Sequence, residues 1–314
     1  MRPDPSYYVY FGTYTSGESE GIYVYELEQT TGMLKDTGFR CKTDNPSYIA
    51  IDEKRHILYV VNEVERFMGD PGGAVSSYAI ARESGELVPL SHCSTLGAGP
   101  CHVEIDHSGS YVFAANYAEG SLVVIASDPA GKLNVTDFEK FHGGGKDPLR
   151  QDGPHPHSCN VDHENRFLLV PDLGSDRIFS FSFDSKNGKL KANAVPFHEA
   201  APGAGPRHCA FGPRGHVAYV INELDSTINT YSYNKSQGVI REIQSISTLP
   251  PGFEGENLGA DIHLHPSGSF LYASNRGHDS LAIYSVDRHT GLLSYVGYQS
   301  TYGRTPRNFC IDPF

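Results

Sequence analysis

The stretch Gly205-Pro206-Arg207-His208-Cys209-Ala210-Phe211-Gly212 has five counterparts along the chain. Three are close: Asn45-Pro46-Ser47-Tyr48-Ile49-Ala50-Ile51-Asp52, Gly99-Pro100-Cys101-His102-Val103-Glu104-Ile105-Asp106 and His155-Pro156-His157-Ser158-Cys159-Asn160-Val161-Asp162. Leu258-Gly259-Ala260-Asp261-Ile262-His263-Leu264-His265 is a weaker copy, and Thr305-Pro306-Arg307-Asn308-Phe309-Cys310-Ile311-Asp312 a clear one. The anchors at 46, 100, 156, 206, 259 and 306 lie 54, 56, 50, 53 and 47 residues apart. Self-similarity at a fixed period of this size marks a repeat architecture, in which no unit buries its apolar face alone.

The order inside each unit is constant. A polar turn after the anchor leads into an apolar strand, at His56–Asn62, Tyr111–Asn116, Phe167–Asp172, His216–Asn222 and Phe270–Asn275. An alternating strand follows, such as Ile178–Phe183 or Leu281–Val286, then a Gly-bearing turn and a last, less regular strand. Period-2 alternation between Gly turns is a strand and hairpin signal, and no stretch keeps a 3.6 period for three turns. The reading is one all-β domain over residues 1–314, a β-propeller of four-stranded antiparallel blades. A β-sandwich does not predict so regular a repeat. The N-terminal segment supplies three strands (Tyr8–Thr13, Gly21–Glu26, Met33–Phe39), and Thr305–Asp312 is expected to add a fourth to them, making sequence for about six blades.

Composition agrees. Of 314 residues 33 are Gly and 20 Pro, enough to punctuate many short strands, and 39% apolar with 20% charged residues is a globular balance. A formal charge of −12 argues against a nucleic-acid backbone as partner. Six Cys at 41, 93, 101, 159, 209 and 310 lack zinc-site spacing and are read as reduced thiols. With no apolar leader or membrane span in the sequence, the expected location is cytoplasmic.

Aligned repeats show where the units stop being equivalent. One column, Asn62, Asn116, Asp172, Asn222 and Asn275, is nearly uniform and reads as structural, since Asn and Asp serve turns. The position after the anchor proline changes from unit to unit (Ser47, Cys101, His157, Arg207, Ala260, Arg307), as does the one after the Asn column (Glu63, Tyr117, Leu173, Glu223, Arg276). The later units thus bring together His157, Arg207, Glu223, Arg276 and Arg307. Charges there must pair with each other or with a ligand, and several Arg with one Glu and one His suit an oxyanion, carboxylate or phosphate. A structural ion-pair network is the alternative. His155 with His157, and His263 with His265, share strand faces but lack third and fourth ligands, so no metal is expected. Gly143-Gly144-Gly145-Lys146 lacks the Ser or Thr of a phosphate loop and reads as a flexible loop.

These residues resemble the lactonase family of seven-bladed β-propellers, which includes propeller-type 6-phosphogluconolactonases and fungal carboxy-cis,cis-muconate cyclases. The resemblance rests on Tyr10-Phe11-Gly12-Thr13-Tyr14, Gly153-Pro154-His155-Pro156-His157, Pro171-Asp172-Leu173-Gly174-Ser175-Asp176-Arg177, Gly203-Ala204-Gly205-Pro206-Arg207-His208 and Asn222-Glu223-Leu224. It continues through Gly259-Ala260-Asp261-Ile262-His263, Ser274-Asn275-Arg276-Gly277-His278-Asp279-Ser280 and Thr305-Pro306-Arg307-Asn308-Phe309. It implies His157, Arg207, Glu223 and Arg276 as catalytic. His155, His208, Asn222, Asp261, His263, His278 and Arg307 in the matched segments are then candidates for substrate contact. Family members continue past the last segment with another blade, whereas this chain stops at Pro313-Phe314, so a seven-bladed type with its last blade shortened is expected.

The expected activity is cofactor-independent hydrolysis of an anionic sugar-acid lactone, with Glu223 or His157 as general base and Arg207 and Arg276 on the oxyanion. A muconate-type lactonising cyclase and a non-catalytic interaction scaffold are the alternatives. Expected partners are a small anionic lactone or carboxylate, neither nucleic acid nor membrane, and copies of the chain itself at an open blade edge.

Overall fold

The computed structural model describes residues 7–312. The chain falls into two compact units, Met1–Glu139 and Lys140–Phe314. In the first, β1 (Tyr7–Gly12), β2 (Gly21–Glu28) and β3 (Met33–Lys42) form a three-stranded sheet. Next come β4 (Ile49–Asp52) and β5 (Ile57–Asn62), a two-stranded ribbon of β6 (Arg66–Phe67) and β7 (Asp70–Pro71), then β8 (Ala74–Ile80) and β9 (Leu87–Ser94). The second sheet runs β4-β5-β8-β9, and the ribbon is an insertion that sequence periodicity did not reveal. The third sheet is β10 (Pro100–Ile105), β11 (Tyr111–Asn116), β12 (Ser121–Ser127) and β13 (Leu133–Lys140).

The second unit repeats the meander three times. Its sheets are β14 (Asn160–Val161) to β17 (Lys189–Glu199) through β15 (Phe167–Asp172) and β16 (Arg177–Asp184); β18 (Pro206–Phe211), β19 (Val217–Asn222), β20 (Thr227–Asn234) and β21 (Val239–Ser247); and β22 (Leu258–Leu264), β23 (Phe270–Arg276), β24 (Ser280–Val286) and β25 (Leu293–Ser300). Every neighbouring pair for which a register is given is antiparallel. Five four-stranded meanders in chain order make this an all-β propeller, as the repeats predict. No helix among the described residues is long and apolar enough to cross a membrane.

One expectation fails. Residues 305–312 form no strand, so no fourth strand joins β1-β2-β3. A strand needs a ladder of backbone partners, and this segment is held by side chains instead. Thr305 N donates to Asp279 Oδ1 (2.8 Å), while Asn308 Nδ2 and Phe309 N donate to Asp261 Oδ2 (2.7 and 3.2 Å).

Apolar faces of adjacent sheets close on one another inside each unit. Leu169, Ile178, Ala218, Val220 and Tyr231 join the sheets of β15 and β19, and Tyr219, Ile221, Ile262 and Tyr284 join those of β19 and β23. Leu169 is fully buried. Leu169→Ala should therefore destabilise by about 2–5 kcal/mol, the range for removing a buried Leu side chain. Urea unfolding monitored by circular dichroism checks this; an unchanged midpoint would contradict the packing described.

The uniform Asn/Asp column is structural, as predicted. Asn62, Asn116, Asp172, Asn222 and Asn275 are all fully buried. Asn275, for example, donates Nδ2 to Thr248 O (2.7 Å) and accepts from Thr248 Oγ1 (2.8 Å). Asp172 accepts from the backbone N–H groups of His155 and Gly174 and from Ser175 Oγ. Gly174 is required there: a Cβ on it would lie 1.8 Å from Gly153 O, so the chain leading to His157 could not pass.

Candidate active site

Strand register inside the second unit assembles the site. Pro206 pairs with Asn222, and the register shifts between Pro206 and His208, so Arg207 occupies a bulge, a device that re-aims a side chain. Glu223 follows Asn222 and donates its N–H to Gly205 O (2.7 Å). Arg207 Nε then donates to Glu223 Oε2 at 2.8 Å. In the next sheet, Leu258 pairs with Arg276, and Gly259 N donates to Glu223 O (3.0 Å). Arg276 Nη2 reaches both Glu223 Oε2 (2.8 Å) and Gly259 O (3.1 Å). The second carboxylate oxygen of Glu223 is taken by Arg150 Nη2.

One buried carboxylate thus faces three guanidiniums. Burial pushes the Glu223 carboxyl up, but Arg207, Arg276 and Arg150 together outweigh it and hold it at about 2. Burial also draws the Arg207 guanidinium down to about 10, against the pull of Glu223, and leaves it charged at neutral pH. One negative and three positive groups thus meet in this cluster. Arg276 Nε is buried and has no acceptor among the described residues.

A second network backs the first. Arg207 Nη1 donates to Ala260 O (2.6 Å) and to His208 Nε2 (3.1 Å). Because a guanidinium only donates, His208 Nε2 must accept, and its proton sits on Nδ1, which donates to Asp261 Oδ1 (2.7 Å). Burial first, then the neighbouring Arg207, lowers His208 to about 4. Asp261 accepts five hydrogen bonds, from His208, from His263 Nε2 (2.9 Å), from Asn308, and from the backbone N–H groups of Ile262 and Phe309. Its carboxyl lies well below the usual range because His263 and His208 overcome its burial, and the same pairing raises His263 above 6.5 although burial alone would lower it.

His157 is buried with its ring centroid 5.2 Å from that of His208. Burial, then the positive field of Arg207 and Arg307, depresses it well below 6.5, so it is neutral at pH 7. All four residues singled out as catalytic, and Arg307, therefore belong to one electrostatic neighbourhood. Of the candidates for substrate contact, His208, Asp261 and His263 back that neighbourhood. Three others make their contacts elsewhere. His155 turns its Nε2 to Asp152 Oδ1 (3.1 Å), Asn222 spends its amide on Thr227 and Asn229, and His278 bonds Ser280 Oγ (2.6 Å) between the rings of Phe253 and Tyr298. Sequence reasoning missed Arg150, which lies between the repeated segments and has no counterpart in the other units. Among the described residues, no group of three or more His, Cys, Asp or Glu side chains is set to hold a metal ion.

The second unit thus holds an arginine-clasped glutamate with adjoining neutral histidines. The chain belongs to the family described as lactonase, 7-bladed β-propeller, whose model matches residues 8–314. It is 38% identical over 307 residues to the 6-phosphogluconolactonase of Bacillus subtilis (strain 168), covering 98% of this chain and 85% of that one. The 6-phosphogluconolactonase of Formosa agariphila is 33% identical, with 97% and 86% covered. In structure the chain is similar to the periplasmic gluconolactonase PpgL of Pseudomonas aeruginosa, with a TM-score of 0.92, 34% identity, and 98% and 86% covered.

Proposed function

We propose that this chain is a lactone hydrolase that opens sugar-acid lactones of the 6-phosphogluconolactone type. The observation that carries the reading is the convergence of three guanidiniums on Glu223, beside a histidine kept neutral. Water attacks the lactone carbonyl carbon while His157 takes its proton, and Arg276 and Arg207 stabilise the oxyanion that forms. Collapse of the tetrahedral intermediate breaks the ring C–O bond, and protonated His157 returns the proton to the departing oxygen. Glu223, with its carboxyl at about 2, is a poor base at neutral pH and acts as counter-ion and aligner of the arginines.

A lactone panel followed by pH-stat and corrected for spontaneous hydrolysis tests the reading. Turnover of 6-phosphogluconolactone supports it. No turnover above background for any lactone would overturn it, and conversion of a carboxymuconate instead would establish the cyclase reaction.

The same geometry sets the pH dependence. An ordinary histidine base would lose activity below about 6.5. Here kcat/KM should hold well below that value, because burial and Arg207 depress His157, and a separate loss should follow at about 4, where His208 gains a proton and repels Arg207. An acid limb at 6.5 would show that His157 titrates as an exposed histidine.

Location and association complete the proposal. Among the described residues the six cysteines form no disulfide, which fits a cytoplasmic location. Strand β1 ends its three-stranded sheet, and such edges pair with other edges, so copies of the chain should associate there. Cell fractionation tests the first statement and light scattering the second; a purely monomeric protein would exclude the association.

A further inference from the structure

We infer that Arg150 is the specificity-determining residue by which the site tells a phosphorylated lactone from an uncharged one, and that Gln151 positions it. The inference rests on the lactonase reading above. Arg150 belongs to a turn that the sequence builds deliberately. The N–H groups of Leu149 and Arg150 donate to Asp147 Oδ1 (2.9 and 3.3 Å), Pro148 has no N–H to satisfy, and Gln151 N closes the turn on Asp147 O (2.7 Å).

Gln151 then pins this turn to the protein. Its side chain is buried, Oε1 accepts from Asp147 N (3.0 Å), and Nε2 donates to Leu173 O (2.8 Å) and Asp176 Oδ1 (2.7 Å). Asp176 also accepts from Gly203 N (2.6 Å) and Gly205 N (2.9 Å), in the segment that leads into Arg207. One carboxylate therefore sets the turn of Arg150 and the entry to Arg207 in register.

The three guanidiniums on Glu223 are not equivalent. Arg207 is 1% exposed and committed to Glu223, Ala260 and His208, and Arg276 is 14% exposed. Arg150, at 35%, stands on the solvent side of the cluster. Stabilising a neutral lactone's oxyanion calls on the buried pair. A phosphate monoester brings a further charge of about −1.5 to −2 at pH 7 and three acceptor oxygens, and the most exposed guanidinium of the cluster is the one it can reach from solvent. A planar guanidinium is the side chain best shaped to fork onto such a group.

The test compares kcat/KM for 6-phosphogluconolactone and glucono-1,5-lactone in the wild type, Arg150→Gln and Arg150→Lys. Calorimetric binding of 6-phosphogluconate and gluconate to each protein gives a readout that needs no turnover. In Arg150→Gln the ratio of the two kcat/KM values should fall by about 10–100-fold, as for loss of a hydrogen-bonded charge pair, and the preference for the phosphorylated acid should fall likewise. Arg150→Lys, which keeps the charge but not the fork, should lie between. Equal losses on both lactones, or an unchanged ratio, would overturn the inference by confining Arg150 to its pairing with Glu223. A wild type that hydrolyses neither lactone would sink the lactonase reading. Calorimetry would then judge Arg150 by itself, with equal affinities for the two acids in the wild type counting against it.

Discussion

Glu223→Gln is expected to lower kcat/KM on the preferred lactone by about 10²–10³-fold, the range for disabling one element of an oxyanion-stabilising constellation. The substitution keeps the shape of the side chain and removes the one negative charge that holds Arg150, Arg207 and Arg276 together. Breaking a buried pair from one side leaves the other charges uncompensated and costs about 3–5 kcal/mol, so the melting temperature should fall as well. Acid behaviour provides an independent check. Glu223 has a depressed carboxyl, at about 2 against an ordinary 4.5, so its contribution to stability is complete above 4.5 and is lost as pH falls towards 2. The variant should lose less stability than the wild type across that window. Wild-type turnover and melting in Glu223→Gln would mean that the carboxylate does not organise the site.

Asp261→Ala should do comparable damage by another route. Asp261 touches none of the arginines on Glu223, yet its two oxygens gather His208, His263, Asn308 and two backbone N–H groups. Its loss strands several buried donors, each at about 1–3 kcal/mol. It frees His208 to turn away from Arg207, and it unties the segment that carries Arg307. We expect at least a tenfold fall in kcat and faster proteolysis within residues 301–312. His263 is raised above 6.5 by its carboxylate partner, so in the variant its pKa should drop below that value, where burial alone would place it. Proton NMR of the imidazoles reads this directly. A His263 titration that does not move would show that Asp261 is not its ionic partner.

Both predictions concern residues legible in the sequence, Glu223 through periodicity and Asp261 through the family resemblance. Once the repeats are aligned, the columns of Arg207 and Glu223 stand out because they change from unit to unit, with Ser47, Cys101, His157, Ala260 and Arg307 in the one and Glu63, Tyr117, Leu173 and Arg276 in the other, and a position that is equivalent by register is equivalent in space. The predicted second strands Tyr111–Asn116 and Phe167–Asp172 match β11 and β15 end to end, since a continuous apolar run between turns leaves little freedom in where a buried strand starts. The same method fails where a residue has no counterpart. Arg150 and Gln151 sit between units, and nothing in Asp147-Pro148-Leu149-Arg150-Gln151 shows that one side chain will meet Glu223 and the next Asp176. Residues 305–312 mislead for the opposite reason. They have the right pattern for an anchor strand, but pattern gives propensity, whereas a strand exists only where a neighbour supplies the ladder.

Sequence by itself determined the all-β repeat, because a repeated pattern is a local property, its motifs resembled the family, and its uneven columns picked out four residues that the fold brings together. Only the tertiary structure decided what those residues do to one another. Three arginines converge on Glu223 and hold its carboxyl at about 2, and five donors converge on Asp261 and keep its carboxyl well below the usual range. A side chain's charge state depends on which distant groups share its burial, and that is settled by how the strands pack.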